Sequence, residues 1–388
     1  MNYLLSSPTL PTSPNTSTSS TKVILVRHAR TTYNEQGRYQ GSSDESVLTE
    51  KGHQDAYATG LALQQFTFDA IYTSPLTRVQ QTTEAIITAL KQTTNHLPPI
   101  AIESKLTEIN MSVWQGLFYQ EVKEKFSEAY NCWQETPHLF SFNDNFFPVL
   151  ELFQQAQQFW QSILDKHPGQ TILIVAHGGT NRALISKAIG LHPKHYHSLQ
   201  QSNCGISLLE FASNSDYGRL KSLNVTDHLA EYLPKLKAGK TGWRWLLLPN
   251  HIENKLLRSS CLTELIVRDF IDLVLTDSSL QSEFLAINFI KNNTQIIHLP
   301  IVKKYFLETW QKTIFTRQKL NYFSNNANLI TGLIIVQKSF IDRILQKTLG
   351  KNITLEHKNC LSVIHYPSAN QQSILQGILP LSQLPVIN

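Results

Sequence analysis

The sequence holds no run of the ~18 or more consecutive apolar residues that a membrane-spanning helix needs, so a polytopic membrane protein is excluded. Charge is sparse, with 16% Asp, Glu, Lys and Arg in 388 residues. No dense basic stripe interleaved with aromatics appears, and no nucleic-acid partner is expected. There are only four cysteines, Cys132, Cys204, Cys261 and Cys360, all far apart. Without a C-x-x-C pair, a disulfide scaffold, a thioredoxin-like site and a cysteine metal site are all disfavoured. A reducing compartment, the cytoplasm, is the expectation, and no secretory signal is read. Residues 1–21 carry no charge and are mostly Ser, Thr and Pro. Such a segment cannot bury enough apolar surface to offset its ordering entropy and is expected to be a disordered tail. It shares a lack of acidic residues with plastid transit peptides, but it lacks their arginine as well.

What is present is globular. Hydrophobic residues make up 41%, and at ~150 residues per domain the length suggests two domains. Short apolar runs at 23–26 (VILV), 69–72 and 171–176 (TILIVA), followed by 204–211, read as strands buried on both faces. Between them, residues 48–63, 77–90, 153–165 and 181–189 read as helices, the first capped by Thr49. Alternation of strand and helix predicts an α/β fold with a mainly parallel central sheet.

The second half repeats the first. VILVRHARTTYN (23–34) aligns with WLLLPNHIENKL (245–256), and Leu48-Thr49-Glu50 with Leu262-Thr263-Glu264. FDAIYTSPLTR (68–78) aligns with IDLVLTDSSLQ (271–281), and LIVAHGGTNRALISKAIG (173–190) with LIIVQKSFIDRILQKTLG (333–350). Asn203-Cys204 aligns with Asn359-Cys360. The offset shrinks steadily along the chain, as expected of a second copy that lost loops and kept its strands and helices. The expected organisation is a tail at 1–21, a first domain at 22–225, a junction at 226–244 and a second domain at 245–388. The net charge of +5 is unevenly placed: residues 230–388 carry 18 Lys and Arg against 10 Asp and Glu, and the first half is slightly acidic.

Chemistry concentrates at strand ends in the first half. Ligands of open α/β sheets bind beyond the carboxyl ends of the strands. Arg27-His28 ends the first strand, His177 ends TILIVA, and Arg78 follows a third strand four residues after Ser74. Arg offers a planar fork of donors that matches phosphate oxygens. A neutral imidazole can attack phosphorus. Together they read as a phosphoryl pocket with a histidine nucleophile.

Residues 22–212 resemble the histidine phosphatase superfamily, the phosphoglycerate-mutase-like family. Five ordered motifs carry the resemblance: Arg27-His28-Ala29 with Thr31 and Asn34, GRYQGSSDESVLTEKGHQDA (37–56), YTSPLTRVQQTTE (72–84), LTEINMSVWQG (106–116) and VAHGG (175–179). The resemblance implies a three-layer sandwich, which the internal alignment leads us to expect duplicated in tandem. It implies His28 as the nucleophile that becomes phosphohistidine, and Glu108 as general acid and then base. It implies Arg27, Arg78 and His177 around the phosphoryl oxygens, with Asn34 and Thr31 adding hydrogen bonds. Arg30, Gln40 and Gly41 are candidate substrate contacts. No metal and no cofactor is implied. The partner is a small phosphorylated metabolite, with no membrane and with the second domain packed intramolecularly. Ala29 departs from the family's usual Gly, where only a methyl is added, and tolerance is expected.

Hydrolysis is favoured over the family's mutase chemistry, because the 69 residues from Glu108 to His177 leave little room for an insertion. A binding or regulatory protein with negligible turnover is the alternative of another class. Trp114, Tyr119, Tyr130, Trp133, Phe140, Phe146 and Phe147 lie in that segment, as pocket lid or as core. In the second copy Arg27 meets Pro249, His28 meets Asn250, Arg78 meets Gln281 and His177 meets Gln337. Glu108 falls opposite Lys304. The second domain is therefore expected to be catalytically inactive, with His251 off the nucleophile column by one residue.

Overall fold

A computed structural model describes residues 20–94, 96–142, 145–213, 215–252, 271–291, 295–323, 329–350, 359–367 and 372–381. The aligned segment at 262–264, Cys261 and all but the last residues of the N-terminal tail lie outside them.

Strand β1 (Thr21–Arg27) leads to the one-turn helix α1 (Thr32–Gln36), then α2 (Glu50–Ala62), β2 (Ala70–Thr73), α3 (Thr77–Leu90) and β3 (Ile100–Ile102). Two short helices, α4 (Tyr119–Lys125) and α5 (Ser127–Glu135), precede α6 (Pro148–Leu164), β4 (Thr171–Ala176), α7 (Gly178–Ala188), β5 (Ile206–Phe211) and β6 (Gly218–Val225). The second half supplies β7 (Trp243–Pro249), β8 (Leu273–Thr276), α8 (Leu280–Ile290), β9 (Ile297–Pro300), α9 (Phe306–Phe323), β10 (Ile330–Val336), α10 (Lys338–Leu349), β11 (Cys360–Tyr366) and β12 (Ile374–Pro380). Thr49 accepts from the Gly52 amide at 3.0 Å and starts α2 where the sequence places its cap.

The twelve strands of the described residues form one sheet in the order β3-β2-β4-β1-β5-β6-β12-β11-β7-β10-β8-β9. From either edge inward, four strands are parallel, and the pairings at the centre are antiparallel. Alternate residues of the inner strands feed two cores. Val23, Leu25, Ile172 and Ile174 pack under α6 and α7, and Ile24, Val26, Leu173 and Val175 pack under α3. Burial on both faces is why VILV and TILIVA are unbroken apolar runs.

The halves share strand order and register. Val23 pairs with Ile172 in the first and Trp245 with Gly332 in the second, which are the same columns of the sequence alignment. One device recurs at the foot of each sheet. Asp69 donates its amide to the Thr171 carbonyl and accepts the Thr171 amide at 2.8 Å, and Asp272 does the same with Thr331 at 2.7 Å. One column moves. Leu25 pairs with Ser207 and Leu247 with Ser362. The residue with left-handed φ before the strand is Cys204 in one half and Asn359 in the other. Asn359 therefore stands opposite Cys204 rather than Asn203.

The halves join edge to edge. Leu223 of β6 bridges Ile378 of β12. The Asn224 side chain donates to the Gln376 carbonyl at 2.8 Å, and the Gln376 side chain donates to Gln200 Oε1 at 3.0 Å. All three amides are buried. Among the described residues, no helix is long and apolar enough to cross a membrane.

Candidate active site

The carboxyl ends of β1, β2 and β4 open onto a cavity of about 670 Å³. Arg27, His28, Arg30, Asn34, Gln40, Gly41, Arg78 and Glu108 all line it.

His28 is 2% exposed, and its Nδ1 lies 2.8 Å from the Ala29 carbonyl oxygen. A carbonyl only accepts, so Nδ1 carries the proton and Nε2 is the nitrogen with a free lone pair. Burial, followed by the charges of Arg27 and Arg78, holds the imidazole well below the ordinary histidine range. The ring is therefore neutral at pH 7, the form a nucleophile requires.

Two arginines flank it. Arg78 is fully buried, with Nη1 on the Ser43 carbonyl and Nη2 on the Gly41 carbonyl, both at 2.7 Å. Burial lowers it to about 10, and it still carries its charge at neutral pH. Arg27 donates Nη1 to the Gln201 carbonyl at 2.9 Å. The Nε–H of each arginine is buried without a hydrogen-bond partner among the described residues. A buried unpaired donor is costly, and two of them beside one cavity are complementary to an anion.

His177 is fully buried behind this group and does not line the cavity. Its ring meets that of His28 edge to face at 5.3 Å, and its Nε2 lies 2.8 Å from Ser74 Oγ. Burial, then Arg78, lowers its basicity as well. Glu108 sits at the N-terminus of α7. Its Oε2 accepts from the Gly179 amide at 2.9 Å, and its Oε1 accepts from the Thr180 amide at 3.0 Å and the Ile109 amide at 2.9 Å. A carboxylate suits that end of a helix. The site also explains Gly179, since a Cβ there would collide with Glu108 Oε1 and Tyr196 Oη.

Thr31 is placed differently from the expected phosphate contact. Its side-chain oxygen accepts the Asn34 amide at 3.2 Å as the N-cap of α1 and donates to Gln40 Oε1 at 3.1 Å. It is buried and does not line the cavity. A cap needs the hydroxyl turned into its own helix, so Thr31 positions Asn34 and Gln40 from below. Ala29 is fully buried, with its amide on Thr82 Oγ1 at 3.0 Å, and the extra methyl is accommodated. Trp114 and Phe140 are core, Trp133 is buried core that also lines the cavity, Tyr119 and Tyr130 line it too, and Phe146 and Phe147 are half-buried.

Several lining residues were not singled out from the sequence. Asn203 donates to the carbonyls of His28 and Ala29 at 3.0 and 3.1 Å and to Asn34 Oδ1 at 3.0 Å, fixing the turn that carries His28. Its apparent recurrence as Asn359 in the internal alignment is not kept by the strand register, which sets Asn359 opposite Cys204. Arg182, Lys237 and Gln372 also line the wall. The last two come from beyond the first domain, and no local motif announces them.

In the second half, Asn250 takes the column of His28, with its amide on the Val336 carbonyl as the His28 amide is on Ala176. Its side chain donates to Ser279 and Ser282, both at 3.1 Å. Asp277 accepts from both serine hydroxyls and from the Gln337 amide. By register Asp277 takes the column of Ser74, the residue that bonds His177 in the first half. Among the described residues, α4 and α5 have no counterparts there.

The model of the histidine phosphatase superfamily (branch 1) matches residues 23–226, just over half of the chain. A probable 2-carboxy-D-arabinitol-1-phosphatase of Arabidopsis thaliana is 40% identical over 227 residues, covering 58% of this chain and 44% of that protein. Phosphoserine phosphatase 1 of Hydrogenobacter thermophilus is 29% identical over 211 residues, 54% of this chain and 95% of that one. Among solved structures, Bacillus stearothermophilus YhfR is 29% identical, covers 52% of this chain and 95% of its own, and superposes with a TM-score of 0.47. The chain spans less than half the length of the plant relative.

Proposed function

The chain belongs to the histidine phosphatase superfamily, and from that premise we propose that it hydrolyses a small-molecule phosphomonoester through a phosphohistidine at His28. The observation that carries the reading is the neutral His28, with Nδ1 tied to Ala29 and Nε2 open between two arginines whose Nε–H groups lack partners. Names of relatives support hydrolysis: the plant relative and the Hydrogenobacter relative are both named as phosphatases.

In the first step Nε2 of His28 forms a bond to phosphorus as the ester P–O bond breaks. Arg27 and Arg78 stabilise the charge spread over the phosphoryl oxygens. His177 holds the His28 ring from behind. Glu108 gives the leaving oxygen its proton, then takes one from the attacking water. Water forms the new P–O bond, the P–N bond breaks, and inorganic phosphate leaves with His28 neutral again. The Ala29 carbonyl steadies the ring while it carries the phosphoryl group. Two arginines supply the positive field, so the scheme needs no metal.

The second half is read as a degenerate tandem copy without catalysis. Shared strand order, shared register and the twinned Asp69 and Asp272 support the duplication. Loss of the catalytic columns, with Asn250 in that of His28 and tied to Ser279 and Ser282, supports inactivity. The bounds read here are 22–225 and 245–388, around the junction at 226–244.

Phosphate release from a panel of phosphomonoesters by wild type and His28→Ala tests the reaction. Release by wild type, unchanged by a chelator and reduced roughly a thousandfold or more in the variant, is expected. Equal release by both proteins, or by neither, overturns it.

A further inference from the structure

The junction reaches back into the pocket. The Nζ of Lys237 donates to the Gln201 carbonyl oxygen, the same atom that accepts from Arg27 Nη1. Two cations sharing one carbonyl stand next to each other, so a group held by Arg27 lies within reach of Lys237. Arg182 stands on the same wall, with Nε on the Leu199 carbonyl at 2.8 Å and its guanidinium 5.5 Å from the Tyr196 ring centre. Neither Lys237 nor Arg182 has a carboxylate partner within ion-pair distance among the described residues. Among the described residues, Glu108 is the lone acidic one on the cavity wall, and α7 amides already hold its carboxylate. Lys237 lines the cavity, where burial and then the charges of Arg27 and Arg182 hold its amine well below the ordinary lysine range, and a carboxylate bound beside it favours the protonated form.

The second half holds this wall in place. Gln372, at the foot of β12, accepts from Ser198 Oγ at 3.4 Å and donates to the carbonyls of Glu135 and Lys194, both at 3.2 Å. The Gln200 side chain donates to the Lys235 carbonyl at 2.9 Å and accepts from Gln376, tying the junction two residues before Lys237 to the inner sheet. Arg27 and Arg78 suffice for one phosphoryl group. Lys237 and Arg182 leave further donors to an anion beside it, fixed by the sheet junction.

We propose that Lys237, with Arg182 beside it, forms an anion subsite that reads a carboxylate on the substrate, making the preferred ligands phosphorylated sugar acids or similar carboxylated phosphomonoesters. The cavity volume of about 670 Å³ admits a ligand of that size. On this account the junction and the second half act in specificity: they bring Lys237 to a pocket whose reacting groups all lie in the first half. The proposal rests on the phosphoester reading of the pocket, and its test separates the two.

Two ligands differing at one carbon provide the test: 6-phosphogluconate, with a terminal carboxylate, and sorbitol 6-phosphate, with a hydroxymethyl there. Calorimetric binding is measured on the full-length His28→Ala protein, which cannot turn them over, with Lys237 intact and as Lys237→Met or Lys237→Gln. Thermal melts verify that each variant is folded. Competition against turnover by the wild type gives the same comparison without the His28 change. The expected result is a preference for the carboxylated ester of about tenfold or more, the scale of one charge-assisted hydrogen bond, falling towards parity in both Lys237 variants. Equal binding of the two esters with Lys237 intact overturns the proposal. So does a preference that survives both variants, or an equal weakening of both esters, which would make Lys237 a phosphoryl ligand. No binding of either ester contradicts the subsite and the phosphoester pocket together. A preference that behaves as expected in a protein that releases no phosphate keeps the subsite and removes the hydrolysis.

Discussion

At the scale of single residues, three histidines in or near the pocket are held in the neutral form. His28 and His177 lie well below the ordinary range, and His197, buried and facing Arg182, is pushed down to about 3. Each gains protons more readily when unfolded, so the unfolded state binds more protons below the ordinary histidine value of ~6.5. Stability from these groups is fully present above that pH and is lost as pH falls through it towards the folded values. Urea midpoints are expected to drop between about pH 7.5 and 5, and the drop should shrink in His177→Gln. A flat midpoint over that interval would contradict the burial of neutral rings. The same depression keeps the His28 nucleophile unprotonated, so kcat/KM should lack an acidic limb at the ordinary histidine value. Glu108 depends on its neighbour in another way. Gly179→Ala places a methyl against its carboxylate and against Tyr196 Oη. Phosphate release is expected to fall by roughly 10²–10⁴, the scale of a lost general acid, while a melt reports a folded protein.

At the scale of elements, β1 and β4 were legible because burial on both faces leaves a continuous apolar run, and α3 because its start after Ser74-Pro75 is marked. The positions of Arg27, His28 and Arg78 followed from that, since strand ends of an α/β sheet face the ligand. Thr31 was legible as a polar residue near the nucleophile, but its hydroxyl caps α1, and a cap and a ligand contact look alike in sequence. Asn203 matched Asn359 in the internal repeat, but register sets Asn359 opposite Cys204, so the role of Asn203 was not legible there. β6 was missed, as its alternation of small, charged and apolar residues fits an edge as well as a loop. Lys237 was beyond reach, because its position depends on how the second half returns to the first. The paired carboxylates at the foot of the sheet make a prediction of their own. Asp69→Ala and Asp272→Ala should each cost about 1 kcal/mol, read by chemical denaturation. A large cost in one half and none in the other would argue against a shared device.

At the scale of the whole molecule, the two halves are one sheet, and the seam between β6 and β12 is made by buried amides of Gln200, Asn224 and Gln376. Gln376→Ala removes the donor to Gln200 Oε1 and leaves that oxygen unpaired in the seam. The expected cost is about 1–3 kcal/mol, with one cooperative unfolding transition in wild type and variant alike. Two separate transitions in the wild type would show that the halves fold independently and would weaken the case for a shared wall. On the proposed reading of two copies with one site lost, labour divides across the seam: chemistry on β1, β2, β4 and α7, and a wall carried by the junction and β12.

The most direct test of the central claim is to trap the phosphoenzyme. Wild type is mixed with a substrate it hydrolyses and quenched in denaturant at alkaline pH, where phosphohistidine survives. The digest is then mapped by mass spectrometry. A phosphoryl group on the peptide containing His28, absent from His28→Ala, is the predicted result. Turnover with no phosphoryl group trapped, or with one on any other residue, would contradict it.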